Sequence, residues 1–149
     1  MNLIWIYKAF DELTTRELYA ILQLRNEVFV VEQNCVYEDI DNKDLESFHL
    51  MAFEDDRLAA YCRVLPPGIS YEETSIGRVI TSPSYRGKGI GVTLLERAIE
   101  KAVIAFAAKC IKIGAQLYLK KFYEGFGFVQ TSEVYLEDGI EHIEMLRIQ

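Results

Sequence analysis

Several residue patterns are scarce in this chain, and each scarcity excludes a class of protein. Its three cysteines, Cys35, Cys62 and Cys110, are odd in number and widely spaced, so they form neither a disulfide framework nor a Cys-x-x-Cys zinc site. With only three prolines and no repeat or linker, the 149 residues are predicted to form one domain over 1–149. No apolar run reaches membrane-spanning length and no signal-peptide pattern is present, so we expect a cytoplasmic protein that binds no membrane.

Positive charge is scarce as well. There are 23 acidic and 16 basic side chains, giving a net charge of −7, which argues against nucleic acid or an anionic membrane as the main partner. An anionic ligand would therefore need a local set of donors, whereas a cationic amine would be tolerated or attracted. The Asp39-x-Asp41 pair fits a calcium loop poorly, because Lys43 and Asp44 occupy a ligand position and the glycine position. We expect no metal site.

The most informative stretch is the glycine run Arg86-Gly87-Lys88-Gly89-Ile90-Gly91, which lies between a predicted strand over 75–82 and a predicted helix over 90–107. Closely spaced glycines let backbone N–H groups converge on a ligand, and a helix N-terminus favours an anion. The run therefore predicts a site for phosphate or diphosphate. It is not a P-loop, because Gly89 follows Lys88, and it is not a dinucleotide fingerprint, because Val92 replaces the last glycine.

A second cluster covers 116–128. A short helix is predicted over 116–124 with Gly125 as its C-cap, and on one helix Gln116 and Tyr123 would share a face. An amide and a phenol aligned in this way could contact successive parts of an extended ligand. Alternatively, Phe122, Tyr123 and Phe128 form an aromatic core patch, which suits the phenylalanines better than a phenol that needs a hydrogen-bond partner.

The remaining patterns complete the element order. A strand over 3–10 precedes a helix that begins at a capping box formed by Thr14 and Glu17, and Arg25 falls on the apolar stripe of that helix, either at the core edge or directed into a cleft. After a polar connection over 32–47, strands are predicted over 48–53, 58–65, 75–82 and 110–114. Asp138-Gly139 predicts a hairpin between 128–136 and 140–148. The order β-α-β-β-β-α-β-α-β-β indicates an α/β (α+β) fold, with helices on the faces of a mixed sheet.

The two motifs together resemble the GNAT (GCN5-related) N-acetyltransferase superfamily. The Arg-x-x-Gly-x-Gly run after Val79-Ile80-Thr81 is similar to its coenzyme A pyrophosphate loop, and Phe122-Tyr123 followed by Gly127-Phe128 is similar to its second motif. Gln116 stands where that motif carries Asn, which keeps the amide but lengthens its reach. Within the family, 24–35 and 37–41 look like the bacterial ElaA group. The resemblance covers the whole chain and implies the acyl-CoA N-acyltransferase fold, with a mostly antiparallel sheet and helices on both faces.

This resemblance implies where acetyl-CoA binds. The cofactor would lie between the strands over 75–82 and 110–114, and backbone N–H near Ile80 would polarise its thioester carbonyl. Tyr123 would act as general acid towards the departing thiolate, since an ordinary phenol with a pKa of about 10 is protonated at neutral pH. The cofactor-binding candidates are Val79, Ile80, Thr81, Arg86, Gly87, Lys88, Gly89, Ile90, Gly91, Gln116 and Tyr123.

The acceptor side is less defined. His49 is placed with Tyr123 as a catalytic candidate, and the base is open among His49, Glu32, Asp39, Asp41 and His142, or a water chain that ends at one of them. Arg25, Arg63 and Arg78 could bind a substrate carboxylate or could pair with local acids. The candidate acceptor-binding residues are Arg25, Glu32, Asp39, Asp41, Arg63, Arg78 and His142.

These observations favour an enzyme that acetylates a primary amine on a small molecule or peptide by direct attack in a ternary complex, and a homodimer is possible by family resemblance. The alternative from another class is an acyl-CoA sensing module without turnover, for which the lack of an obvious base leaves room. A third and weaker idea, an ATP-binding domain, conflicts with the spacing around Lys88.

Overall fold

The N-terminal half of the chain forms an antiparallel sheet in the order β1-β2-β3-β4, in a computed structural model that describes residues 1–149. Its strands are β1 (Ile4–Ala9), β2 (Phe48–Glu54), β3 (Arg57–Leu65) and β4 (Ser75–Thr81). A tight turn joins the antiparallel pair β2 and β3, with Asp55 at φ 51°. All four predicted strands are present to within two residues at each end.

The C-terminal half forms a second antiparallel sheet around β8 (Ile140–Ile148), which pairs with β5 (Cys110–Gln116), β6 (Phe128–Gln130) and β7 (Tyr135–Glu137). The hairpin predicted at Asp138-Gly139 is confirmed, with φ values of 51° and 77° at its two central residues. One long strand over 128–136 was wrong. Ser132 interrupts it, because its hydroxyl accepts the Glu144 N–H at 2.8 Å and so replaces a ladder bond.

Helices cover both faces of the N-terminal sheet. α1 (Thr15–Arg25) begins at the predicted capping box, in which the Glu17 N–H donates to the Thr14 hydroxyl at 3.1 Å and the Thr14 N–H donates to the Glu17 carboxylate at 2.8 Å. α1 then continues into a π-helical segment over Asn26–Glu32, which was not predicted. α2 (Ile90–Phe106) and α3 (Lys120–Glu124) follow. None of these helices combines the length and the apolar character that crossing a membrane would need.

Two apolar clusters fix the helices against the sheet. Leu94, Leu95 and Ala98 of α2 are completely buried in the larger cluster, which also takes in residues of both sheets. Ile21 and Leu24 of α1 belong to the smaller cluster, on the opposite side, with Met51, Tyr61 and Ile80. The predicted arrangement of helices on both faces is therefore confirmed.

The two sheets meet where β4 and β5 run side by side. A single parallel bridge joins Thr74 to Ile111, supported by a 2.9 Å hydrogen bond from the Lys112 N–H to the Thr74 carbonyl. Beyond that bridge the two strands form no ladder and diverge. β4 also carries a bulge, because Gly77 is opposite Arg63 but Ile80 is opposite Tyr61, and the bulged Arg78 has φ 51°. The divergence opens a cleft between the sheets.

Candidate active-site cleft

The cleft has a volume of about 1020 Å³ and takes its walls from both sheets. β4 and β5 form its sides, the N-terminus of α2 closes one end, and the π-helical segment and the β7–β8 turn border it elsewhere. A cleft of this size, half apolar, is typical of a site for a small molecule. The predicted residues that line it are Glu32, Asp41, Arg63, Arg78, Val79, Ile80, Thr81, Arg86, Gly87, Gly89, Ile90, Gly91, Gln116, Tyr123 and His142.

The glycine run forms a cradle for an anion at the N-terminus of α2. Gly87 and Gly89 both have φ 78°, and no atom lies within 4 Å of the place that a Cβ would occupy on either residue. Gly89 is the N-cap of α2 and provides no side chain, so the first N–H groups of the helix lack a capping oxygen. These donors face open space with the positive end of the helix dipole behind them, an arrangement that fits a phosphate or diphosphate.

The two cations of the run differ in position. Arg86 lines the cleft and donates to both carboxylate oxygens of Glu32, at 2.6 and 3.0 Å. This pair lowers the pKa of the Glu32 carboxyl, so Glu32 is a poor base. The Lys88 side chain does not line the cleft, because its ammonium lies 5.5 Å from the ring centroid of Tyr85, so only the backbone N–H of Lys88 remains a candidate for cofactor binding.

Gln116 and Tyr123 both face the cleft, but they do not share a helix. Gln116 is the last residue of β5, where its pairing with His142 extends the β5–β8 ladder and keeps the backbone extended. The predicted helix over 116–124 begins one residue later than expected: Leu117–Leu119 form a 3-10 helix that leads directly into α3, so Gln116 does not share a helical face with Tyr123. Gly125 is right-handed with φ −59°, and the left-handed glycine is Gly127 with φ 91°.

Tyr123 is held by aromatic neighbours and keeps a free hydroxyl. Its ring packs at steep angles against Phe122 and Phe128, at centroid distances of 5.2 and 6.0 Å. Only 6% of the residue is exposed, yet it lines the cleft, and its hydroxyl makes no hydrogen bond within the protein. Burial raises the pKa of the phenol well above its usual value, so the proton stays on the oxygen at neutral pH.

Three arginines and three aspartates form a largely buried network beside the cleft, here called the Arg/Asp network: Arg25, Arg63, Arg78, Asp39, Asp41 and Asp44. Arg25 is 0% exposed and donates to Asp39 at 2.8 Å and to Asp44 at 2.6 Å. It lies neither at the core edge nor in the cleft, which corrects both predicted positions. The fixed positive and negative charges are equal in number, so burial is offset by pairing.

The cleft side of the Arg/Asp network is formed by Arg63, Arg78 and Asp41. Arg63 donates to both carboxylate oxygens of Asp41, at 2.7 and 2.8 Å, and Arg78 lies 3.3 Å from the same carboxylate. Burial alone would raise the pKa of Asp41, but the Arg63 and Arg78 charges outweigh it and hold the pKa below its usual value. The arginines thus pair with local acids, as one of the two predicted alternatives had it, and Asp39 and Asp41 are not available as bases.

Comparisons with known proteins identify the family. Residues 13–148 match the family model described as an acetyltransferase (GNAT) domain. The chain belongs to the GNAT acetyltransferase family. Members of this family transfer acyl groups from acyl-CoA, so the GNAT assignment accounts for an anion cradle at one end of a cleft between diverging strands.

Relatives match over nearly the full length of this GNAT chain. Protein ElaA of Escherichia coli is 46% identical over 145 residues, covering 96% of this chain and 95% of ElaA. A crystal structure of Escherichia coli ElaA superposes with a TM-score of 0.92, covering 98% of this chain and 99% of that chain. An acyl-CoA N-acyltransferase from Pseudomonas aeruginosa superposes with a TM-score of 0.93 at 46% identity, covering 98% of this chain and 99% of that chain. The predicted GNAT fold and the ElaA resemblance are confirmed.

The two histidines of the GNAT chain differ in position. His49 is 1% exposed and does not line the cleft. Its Nδ1 lies 2.6 Å from the Tyr61 hydroxyl and its Nε2 lies 3.0 Å from the Asp44 carbonyl oxygen, so both ring nitrogens are occupied. Burial lowers the pKa of His49. The prediction that His49 could be a base in the cleft is therefore wrong. Its ring lies outside the cleft and contacts the backbone of Asp44, a member of the Arg/Asp network.

His142, in contrast, lines the GNAT cleft. Its Nδ1 lies 2.8 Å from the Ile140 carbonyl oxygen, its Nε2 lies 3.4 Å from the Glu137 carboxylate, and its ring stacks on Tyr135 at 5.9 Å.

Sequence reasoning missed several residues of the site. Asp44 was considered only as a failed calcium position, although it accepts from both Arg25 and Arg63. Glu137, which directly precedes the predicted Asp138-Gly139 turn, was given no role. One signal could have indicated that these charges are buried in pairs. The polar connection 32–47 contains three aspartates, and three arginines lie on elements that were predicted to be apolar.

Proposed function

We propose that the protein is an N-acetyltransferase that transfers the acetyl group of acetyl-CoA to a primary amine of a small molecule or peptide. The observation that carries this proposal is Tyr123, a buried and protonated phenol on the cleft wall with no hydrogen-bond partner. The Tyr7 hydroxyl also lacks a partner, but Tyr7 does not line the cleft, whereas Tyr123 does. An unpartnered phenol on a ligand cleft is suited to donate its proton to a reacting group.

The residues present fit acetyl-CoA. The N–H groups of Gly87 to Gly91 and the Arg86 guanidinium would hold the diphosphate, and Arg86 has enough N–H donors to keep its pair with Glu32. The edge of β4 at Val79, Ile80 and Thr81 would hold the pantetheine amides, with Gln116 on the facing strand. When bound, acetyl-CoA supplies an activated acyl thioester.

Backbone and side-chain groups of the protein would then orient the thioester and transfer protons. The β4 bulge between Gly77 and Ile80 takes backbone N–H groups out of the regular ladder, and an N–H near Ile80 would polarise the thioester carbonyl. Tyr123 would give its proton to the departing sulfur. No cysteine is needed as a nucleophile; burial raises the pKa of the Cys62 thiol, and a direct attack by the amine requires none. The three free thiols also suit a reducing compartment such as the cytoplasm.

The test is a thiol-release assay with acetyl-CoA over a broad panel of primary amines, followed by mass spectrometry of the products. The proposal expects amine-dependent release and an acetylated amine in equal amount. Release without an acetylated product would show thioester hydrolysis instead. Tight binding of acetyl-CoA with no release for any amine would favour the sensing module.

A further inference from the structure

The hydrogen bond of His142 to the backbone fixes the position of its proton. Nδ1 lies 2.8 Å from the carbonyl oxygen of Ile140, and a carbonyl oxygen can only accept. Nδ1 must therefore carry the hydrogen, and in the neutral ring Nε2 carries a lone pair. The ring cannot turn freely, because it stacks on Tyr135 at 5.9 Å and only 8% of the residue is exposed.

The free nitrogen faces a group that would stabilise its protonated form. Nε2 lies 3.4 Å from Oε2 of Glu137, whose side chain is 60% exposed and able to adjust. Once Nε2 gains a proton, that contact becomes a charge-assisted hydrogen bond. Glu137 and its neighbour Asp138 both border the cleft, so their negative charges also favour an acceptor that arrives as an ammonium ion.

His49 provides an internal contrast. Its Nε2 lies 3.0 Å from the Asp44 carbonyl oxygen and must donate, while its Nδ1 accepts from the Tyr61 hydroxyl at 2.6 Å. The two histidines are thus opposite tautomers, and only His142 presents an unprotonated nitrogen to the cleft.

We propose that His142 is the general base of the acceptor site and that Glu137 is its positioning residue. This inference rests on the proposed function. Nε2 of His142 removes one proton from the ammonium, and the free amine attacks the thioester carbonyl to form the C–N bond. The C–S bond breaks, the sulfur takes the Tyr123 proton, and the phenolate recovers a proton from the nitrogen of the new amide. The imidazolium returns its proton to water, so one acetylated amine, one thiol and one proton result.

The surroundings of His142 contribute few other charges. β7 presents Glu137 and the Tyr135 phenol, and β5 presents the neutral Gln116 amide. On its own strand, Glu141 is exposed and Glu144 lies 3.5 Å from the Lys112 ammonium. Glu137 is therefore the only carboxylate within 4 Å of a His142 ring nitrogen.

The decisive experiment compares His142→Gln with the wild type across pH at saturating acetyl-CoA and amine. At neutral pH we expect turnover to fall by about 10²–10⁴-fold, the usual contribution of a general base. The deficit should shrink steadily as pH rises towards about 10, because a primary amine then loses its proton without help. Imidazole in the buffer should restore part of the neutral-pH rate.

Two comparisons separate this role from a structural one. A deficit of His142→Gln that stays constant over pH, like that expected of Tyr123→Phe, would overturn the base assignment while leaving the acetyltransferase intact. Glu141→Gln, the neighbouring exposed carboxylate, should behave as the wild type at every pH. If the wild type acetylates no amine at all, the proposed function itself fails.

Two further measurements do not depend on whether a His142 variant folds: the kinetics of Glu137→Gln, and the tautomers of the two histidine rings in the wild type. Glu137→Gln removes the carboxylate that contacts Nε2, so kcat should fall while the affinity for acetyl-CoA holds; an unchanged kcat contradicts the positioning role. In the ligand-free wild type, ¹⁵N NMR of labelled histidine should show one neutral ring protonated on Nδ1 and the other on Nε2. Two rings of the same tautomer would overturn the inference.

Discussion

Tyr123 is the residue on which the proposed chemistry depends most. We expect Tyr123→Phe to lower turnover by about 10²–10⁴-fold, because the departing thiolate loses its proton donor. Acetyl-CoA affinity should hold, since the ring and its contacts with Phe122 and Phe128 remain. Steady-state kinetics and equilibrium binding on the same preparation check both parts. Unchanged turnover would remove Tyr123 from the chemical step.

Gly89 tests the anion cradle. Its φ of 78° and the open space beside it suit a close approach of phosphate to the backbone. A hydrogen bond to a charged group contributes about 1.5–3 kcal/mol, so losing one in Gly89→Ala should weaken coenzyme A binding by about tenfold or more.

Gly68→Ala is the matched control, because Gly68 has a similar φ of 90° and open surroundings but does not line the cleft. Both variants should lose comparable stability from the left-handed alanine, about 1 kcal/mol. Only Gly89→Ala should lose coenzyme A affinity; equal affinities in the two variants would contradict the cradle.

The glycine run and Tyr123 could be placed in the cleft from sequence because their signals are local. A glycine density, a following helix and an aromatic pair on a fixed spacing need no knowledge of distant partners. The positions of Lys88 and His49 could not be predicted in the same way. Lys88 lies over the ring of Tyr85, and His49 lies between Tyr61 and the carbonyl of Asp44, contacts that only the folded chain defines.

At the scale of elements, the Arg/Asp network ties α1 and the connection before β2 to β3 and β4. We expect Arg25→Met to lower the free energy of unfolding by about 3–5 kcal/mol, because it leaves the buried Asp39 and Asp44 carboxylates without their main partner. Urea denaturation measures this loss. Lys8→Met, which breaks the partly exposed Lys8–Glu17 pair, is the control and should cost about 1 kcal/mol or less. Equal losses in the two variants would contradict the dependence on burial.

Strand and helix periods alone could not fix the boundary between β5 and the helical segment that follows it. Cross-strand pairing with β8 extends β5 from the predicted end at Gly114 to Gln116, and the helical segment begins with a 3-10 helix over Leu117–Leu119 before α3. Such ladder bonds are long-range and override local preference. The continuation of α1 into a π-helical segment could not be predicted from the sequence either. The capping box and the Asp-Gly turn could be predicted, because their donors and acceptors lie within a few residues of each other.

The whole molecule should lose stability in two stages as the pH falls. Burial lowers the pKa of His49 in the folded state. Its contribution to the free energy of unfolding is therefore complete above the unfolded-state pKa of about 6.5 and is lost as the pH falls below that value. The pKa values of Asp41 and Asp44 are also lowered, because arginine charges outweigh burial, and their contribution is lost below about pH 4.

Unfolding titrations at a series of pH values test this account of acid sensitivity. His49→Gln should remove the first stage and keep the second. A wild-type stability that stays flat from pH 7 to pH 4, or a His49→Gln profile that superposes on it after normalisation, would contradict the buried neutral imidazole.

At the scale of the whole molecule, the net charge of −7 repels the anionic coenzyme A. The local donors of the cleft must therefore supply the whole attraction. Titration calorimetry of the wild type with acetyl-CoA and with ATP tests this claim most directly. Saturable binding of acetyl-CoA at a single site per chain, with no measurable heat from ATP, is the predicted result. ATP binding as tight as that of acetyl-CoA, or no binding of acetyl-CoA, would contradict the account.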